Sequence, residues 1–480
     1  MAEYLVGLAR TLSAGGCSVL IRNQAGRTAR LLLYSGILWF FVALAAGVGT
    51  LLVGAGALDI DTPYGPAGVD LLQPVFHNTL VFGWLAMAGT GAGLLLIQRV
   101  HGLTLASEIW GQLAAWLWNG ANAAGAAALV MGWIEGPAFT EIVWPIKAVW
   151  LAGLVLLLLN VYATLSRGGT PLYAGVWYVV AAMAWMVPVY VLGSGILAPG
   201  WPVQPLNALL YGMYTQGLVW LWAVPLTLAL ALYVAPAVSG QPLYSRALAQ
   251  WGLWGLVLFA GAGAERLLGA DVPAWVTALS AALAVLALVP VLANATNVLK
   301  TMRPSWRAAM AAPPGRALMW GVELLVLAGV HAALQPLGVV HDIFRNTLLS
   351  VTAPLTVLVG ACSFLLFAGI YQLLPMLRRP ADRPGTPLYD ERVARWHLGA
   401  SGAGVALYVV GLWLGGLSQV MERAAYGTGA IMAAALGPSL MVQAAGLGLL
   451  LVAQVLLVYT VAKAASVPQP VKLPVIITNP

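Results

Sequence analysis

The chain has 480 residues, of which 61% are hydrophobic and only 8% charged, with a formal net charge of +7. Soluble domains carry about 25% charged residues, so this composition excludes a water-soluble globular enzyme and a disordered chain alike. The surplus of basic residues is sorted by position relative to apolar segments, which points to a bilayer and not to nucleic acid as the partner surface.

A hydrocarbon core of about 30 Å needs roughly 20 apolar residues in helical form. Residues 1–29 hold no continuous apolar core and read as a cytoplasmic N-terminal arm, not a signal peptide. Cys17 follows Leu-Ser-Ala-Gly-Gly, a pattern read here as a chance run of small residues and not a lipidation site. Twelve segments then qualify as spans, at about 30–56, 75–98, 108–133, 141–165, 173–197, 205–235, 244–268, 272–299, 315–338, 344–375, 397–418 and 433–463. Short Gly, Pro and Asp turns separate them, and the abundance of glycine (54 residues) suits close helix packing in lipid. Residues 30–465 are therefore expected to form one all-α, polytopic transmembrane domain of twelve helices, followed by a Pro-rich, extended tail at 466–480.

Orientation follows from charge. With the N-terminus cytoplasmic, all of the 22 basic residues except Lys147, Arg266, Arg345 and Arg423 fall on the inner side. Asp59, Asp61, Asp70, Glu135 and Asp271 gather on the outer side. This asymmetry predicts an even number of spans with both termini cytoplasmic.

Hydrolytic and nucleotide chemistry find no foothold. The sequence has no phosphate-binding GxxxxGK[ST] loop and no HExxH, and the GTGAG run at 89–93 lies within an apolar helix, where it serves packing. Cys17 and Cys362 stand far apart and offer no disulfide framework or CxxC site.

Several phrases resemble subunit I of the heme-copper oxidase superfamily, in the branch of the C-type cytochrome c oxidases and nitric oxide reductases. The second segment reads QPVFHNTLVFGWLAMAGTGAGLLLIQR, the fifth WYVVAAMAWMVPVYVLGS, and the sixth and seventh are joined through LYGMYTQGLVWLWAVPLTLALALYVAPAVSGQPLYS. The tenth ends AGIYQLLP. The resemblance covers residues 30–465 and implies a bacterial or archaeal cytoplasmic-membrane location and a place in a respiratory chain. It also implies other membrane or periplasmic redox subunits as partners, such as a cytochrome c or a cupredoxin-type protein.

In that family six histidines hold two hemes and a copper ion, imidazole being a neutral donor that suits both metals. This chain has five histidines in all: His77, His101, His331, His341 and His397. Counting from the matching phrases, the resemblance places Phe76, Gln216, Glu265, Arg266, Ala353 and Leu355 at the six ligand positions, and Phe259 where C-type oxidases carry a cross-linked tyrosine. Tyr214 keeps the tyrosine two residues before the copper position. The six positions therefore read as vacated, and no cofactor is expected in this chain.

The remaining polar residues divide between sites and packing. His77 is one residue from the heme-ligand position, and a shift of one residue turns a helical side chain by about 100°. His77 and His341 are the candidates for a displaced heme clamp. His331 is expected to be packed, and His101 and His397 to be solvated at the cytoplasmic edge. Glu265, Arg266, Glu323 and Lys147 are candidate buried charges, which in a bilayer are paired, functional or snorkelled to the interface; snorkelling is the simplest reading for Lys147 and Glu323.

The expected function is a cofactor-depleted, oxidase-like subunit acting as scaffold or anchor in an electron-transfer complex, with room for a quinone or lipid site. One rival is an active oxidase or nitric oxide reductase that binds heme b through relocated ligands. Another is a proton or small-anion transporter through the emptied core.

Overall fold

The computed structural model describes residues 23–62, 65–66, 68–169, 171–197, 205–259, 273–377, 389–426 and 433–466. Cys17, Glu265, Arg266 and the tail beyond 466 lie outside them. The described residues are helical apart from one pair of two-residue strands, β1 (Asp61–Thr62) and β2 (Gly65–Pro66), which run antiparallel. The helices in chain order are α1 (Arg27–Gly54), α2 (Val69–His101), α3 (Glu108–Val130), α4 (Trp144–Leu165), α5 (Ala174–Gly193), α6 (Leu209–Ser239) and α7 (Arg246–Phe259). They continue with α8 (Ala274–Ala311), α9 (Pro313–Leu334), the short α10 (Gly338–Phe344), α11 (Leu349–Leu373), α12 (Glu391–Tyr426) and α13 (Ala433–Ser466).

Among the described residues ten helices are long and apolar enough to cross a membrane: α1, α2, α4, α5, α6, α8, α9, α11, α12 and α13. The exact count of twelve is thus not established. Helix α7 is described only as far as Phe259, and α3 is diluted by polar side chains. Those side chains are used between helices, not left to lipid. Asn119 donates to Ser35 Oγ at 3.0 Å and accepts from Trp39 Nε1 at 3.0 Å, while Asn122 donates to the Phe82 carbonyl at 3.0 Å. The outward faces are apolar in the manner of a protein solvated by hydrocarbon, as at Leu38 (63% exposed) and Val452 (65%).

The basic residues Arg27, Arg30, Arg99, Arg167, Arg246, Lys300, Arg303, Arg307, Arg392, Arg395 and Lys463 all stand near helix ends on one side of the bundle, called here the basic end. There α1 is held to α3 by a buried carboxylate. Glu108 accepts from the backbone N–H groups of Gly26 (2.6 Å) and Thr28 (2.9 Å) and from Thr28 Oγ (2.7 Å), so it caps the orphan amides at the start of α1.

Helices α2, α6 and α11 are almost wholly buried and form the centre. Each departs from α-helical winding in its middle: Thr79–Ala88, Gly217–Ala223 and Thr356–Ala361 are π-helical, and these three stretches touch one another. Widened turns of this kind are rare and concentrate at functional sites. Nothing in the hydrophobic periodicity announces them, because all three stretches are apolar on every side.

Candidate functional site

The end of the bundle opposite the basic end carries a buried cluster of charged side chains. The first turns of α2 bring His77 and Asn78 inward, both buried. Asn78 Nδ2 donates to the Pro74 carbonyl (2.9 Å) and to Glu141 Oε2 (2.8 Å). The other carboxylate oxygen, Oε1, lies 3.8 Å from His77 Nδ1, which has no hydrogen-bond partner. Lys147, at the start of α4 and 3% exposed, places its ammonium 3.6 Å from Glu135 Oε2.

Both carboxylates come from the loop 131–143, which folds back over the helix ends. Its closure is backbone-driven: the Glu135 N–H donates to the Glu141 carbonyl at 2.9 Å. Phe139 adopts a left-handed conformation, φ 67°, which costs a side-chain-bearing residue roughly 1–2 kcal/mol. Two tyrosines of α6 hold it there. Tyr211 donates to the Ala138 carbonyl and Tyr214 to the Phe139 carbonyl, each at 2.9 Å. In consequence the Phe139 ring stacks on His77 at 4.8 Å. Removing the Tyr214 hydroxyl should loosen this strap. Tyr214→Phe is expected to cost about 0.5–1.5 kcal/mol and to speed amide hydrogen exchange across 131–143, as measured by mass spectrometry in detergent.

The centre of the bundle is filled by aromatic side chains. Phe40 stacks on Trp84 with ring centroids 4.4 Å apart, and Phe367 lies 5.9 Å from Trp84. Trp84 Nε1 donates to Ser363 Oγ at 2.9 Å, tying α2 to α11. A second aromatic group, Trp118, Trp150 and Tyr190, joins α3, α4 and α5, with Trp118 and Trp150 stacked at 5.0 Å. Cys362 is a free, buried thiol 3.5 Å from Thr227 Oγ and takes part in core packing between α11 and α6.

Several expected placements are altered. Lys147 does not snorkel to the interface, because the folded-back loop covers it and supplies Glu135. His397 is not solvated: α12 begins at Glu391, so this residue is already inside the bundle and is 0% exposed. Glu323 points outward from α9 and is not enclosed among the helices of the bundle. His331 is packed as expected, 2.9 Å from the Leu349 carbonyl and between the rings of Phe344 and Trp413. His341 sits on α10, whose last carbonyls are held by the Arg423 guanidinium. His77 and Lys147 are brought into one cluster, whereas His341 belongs to another element. Glu141 and Asn78 were missed from sequence; the available signal was a second glutamate six residues before a lysine in a chain so poor in charge.

Comparison with known proteins agrees with this architecture. The family of cytochrome c and quinol oxidase polypeptide I matches residues 27–449. The chain is 22% identical over 451 residues to a protein named cytochrome c oxidase subunit 1 homolog, bacteroid, from Bradyrhizobium diazoefficiens, covering 87% of this chain and 80% of that one. It is 22% identical to cytochrome c oxidase subunit 1 of Rhodobacter capsulatus over 400 residues, covering 80% and 73%. Among solved structures, a chain of a heme-copper terminal oxidase dimer determined by cryo-EM superposes with a TM-score of 0.71 at 13% identity, covering 93% of this chain and 86% of that one.

A polytopic helical membrane protein with a buried three-helix centre is therefore the class. The chain belongs to the cytochrome c and quinol oxidase polypeptide I family.

That membership corrects one expectation. The absence of any cofactor, inferred from the replaced histidines, is overturned, because the family points to heme and copper and the solved structure of like fold is a heme-copper oxidase. Where such groups would sit is a separate matter, and the positions that the sequence resemblance assigns to their ligands do not fit them. Phe76, Ala353 and Leu355 are buried hydrocarbon side chains with no donor atom, and Gln216 is a half-buried amide. Among the described residues no group of three or more His, Cys, Asp or Glu side chains could hold a metal ion.

Proposed function

We propose that the chain is the membrane-embedded, subunit-I-type core of an electron-transfer assembly and that it holds other redox subunits at the bilayer. The packed centre carries this reading: Phe40, Trp84, Phe364 and Phe367 are fully buried and fill the space between α1, α2, α9 and α11 with the chain's own side chains. A core filled this way contributes rigidity and a fixed outer shape, which is what an anchor for partner subunits requires. In this reading twelve segments span a bacterial or archaeal cytoplasmic membrane, both termini face the cytoplasm, and a periplasmic cytochrome c or cupredoxin-type protein docks opposite the basic end. A quinone or lipid would occupy a surface between helices.

The test is extraction of the tagged full chain in a mild detergent, followed by identification of the subunits that travel with it. A stoichiometric subunit carrying heme or copper supports the reading. A chain that migrates alone at 50.1 kDa contradicts it.

One observation favours a second reading, an oxidase or nitric oxide reductase subunit with a relocated ligand. His77 is buried and turns Nδ1 toward Glu141, the kind of carboxylate support that orients a ligating imidazole. Heme quantified per purified chain, before and after His77→Phe, separates the two. Loss of one heme equivalent on substitution would establish the second reading; an unchanged heme content would remove it.

A further inference from the structure

A second buried polar group lies toward the basic end, between α11, α12 and α13. Tyr371, near the end of α11, places its hydroxyl 3.0 Å from His397 Nδ1 of α12. Both side chains are buried, the histidine completely. Gln454 of α13 hydrogen-bonds the same imidazole. Its Nε2 donates to the Leu450 carbonyl at 3.0 Å, so Oε1 is the atom that turns to the ring. One arrangement satisfies all three groups: Gln454 Oε1 accepts from His397 Nε2–H, and the bare Nδ1 accepts from the Tyr371 hydroxyl. Thr460 also stands at the phenol oxygen, but its own hydrogen goes to the Leu456 carbonyl at 2.8 Å, and an alcohol is a far weaker base than an imidazole.

A base within about 2.6–3.2 Å of a proton is placed to take it. A resting phenol, with an ordinary pKa of about 10, keeps its proton. Removal of one electron turns the phenol into a strong acid, and the proton then has a base waiting at 3.0 Å. The surroundings suit the loss of an electron. Phe367 lies 4.8 Å from the His397 ring and 5.9 Å from Trp84, in the π-helical stretch of α2. On the other side Tyr389, half-buried just before α12, lies 5.2 Å from Tyr371. Rings in contact thus run from Trp84 at the centre, through Phe367, His397 and Tyr371, to Tyr389 at the basic end.

We propose that Tyr371 and His397 form a redox-active tyrosine site, which holds one oxidising equivalent inside the bundle. One electron leaves the phenol for a high-potential heme or copper centre in a partner subunit. The phenolic O–H bond breaks, and the proton forms an N–H bond at His397 Nδ1. The products are a neutral tyrosyl radical, an imidazolium whose Nε2–H still bonds Gln454 Oε1, and the reduced metal centre. Return of one electron reverses both transfers. The oxidant named here rests on the electron-transfer reading above; the site itself rests on the Tyr371–His397 geometry.

The test supplies the oxidant, so its outcome does not depend on which subunits travel with the chain. The full chain, labelled with 15N-histidine and held in proteoliposomes, is flashed in the presence of tris(bipyridine)ruthenium(II) and persulfate, then frozen for electron paramagnetic resonance. The chain has 16 tyrosines, so the diagnostic readout is a tyrosyl radical with hyperfine coupling to a histidine 15N. That coupled signal is expected in the unaltered protein and should fall at least fivefold in Tyr371→Phe and in His397→Phe. Absence of any histidine-coupled tyrosyl radical in the unaltered protein would overturn the proposal, whether or not the variants fold. So would a coupled signal that persists undiminished in Tyr371→Phe.

Discussion

Replacing Lys147 by methionine is expected to lower stability by about 3–5 kcal/mol, the usual result of breaking a buried ion pair by removing one partner. Methionine keeps most of the stem and its packing, so the effect isolates the charge. Without the ammonium, Glu135 loses the group 3.6 Å from its Oε2, and Glu141 loses a positive charge that acts on it through space. Two carboxylates of the loop 131–143, Glu141 buried and Glu135 partly exposed, are then left without it. The apparent melting temperature in one detergent measures the loss. The Glu135→Gln, Lys147→Met double variant should recover much of it, because the uncompensated charge is gone. If Lys147 instead snorkelled to the interface, the single substitution would change little and the double variant would rescue nothing.

Gly446→Ala is expected to cost about 2–3 kcal/mol, at the upper part of the range for overpacking a tight contact. A Cβ at this position would stand 2.5 Å from the Tyr408 backbone nitrogen and 2.6 Å from the Gly404 carbonyl oxygen. Backbone cannot step aside as a flexible side chain can, so α12 and α13 must separate. In lipid the association of helices rests on close packing, and the separation forfeits contacts along the pair. Gly448→Ala serves as the control, since nothing lies within 4 Å of its added methyl. There the better helix propensity of alanine should leave stability unchanged or raise it by about 0.5–1 kcal/mol. Equal behaviour of the two variants in thermal unfolding would contradict the close approach of α12 and α13.

Much of the architecture was legible in the sequence because two physical rules act on it without tertiary help. Bilayer thickness sets the length of apolar runs, and basic residues sort to one side; the run from 75 to 98 and the basic edge at Arg99 both find their place in α2. The failures share a cause. Hydropathy marks where a chain enters lipid, not where a helix starts or what covers it. His397 was read as solvated because Arg392 and Arg395 precede it, yet the helix begins at Glu391 and turns this face toward Tyr371. Lys147 was read as snorkelling because a boundary is near, yet the loop 131–143 folds back over that boundary. The π-helical stretches of α2, α6 and α11 left no trace in a period that is apolar all round. Positions that the resemblance reads as vacated likewise suggest loss of cofactor, a step from residues to chemistry that family membership does not sustain.

The central claim is that this chain serves as the membrane core of a larger electron-transfer assembly. Native mass spectrometry of the tagged full chain, released from nanodiscs made directly from its own membranes, tests that most directly. The expected result is a defined complex in which the 50.1 kDa chain is bound stoichiometrically to at least one further subunit that carries heme or copper. A single species at the mass of the chain alone, across detergents mild enough to preserve known membrane complexes, would contradict it.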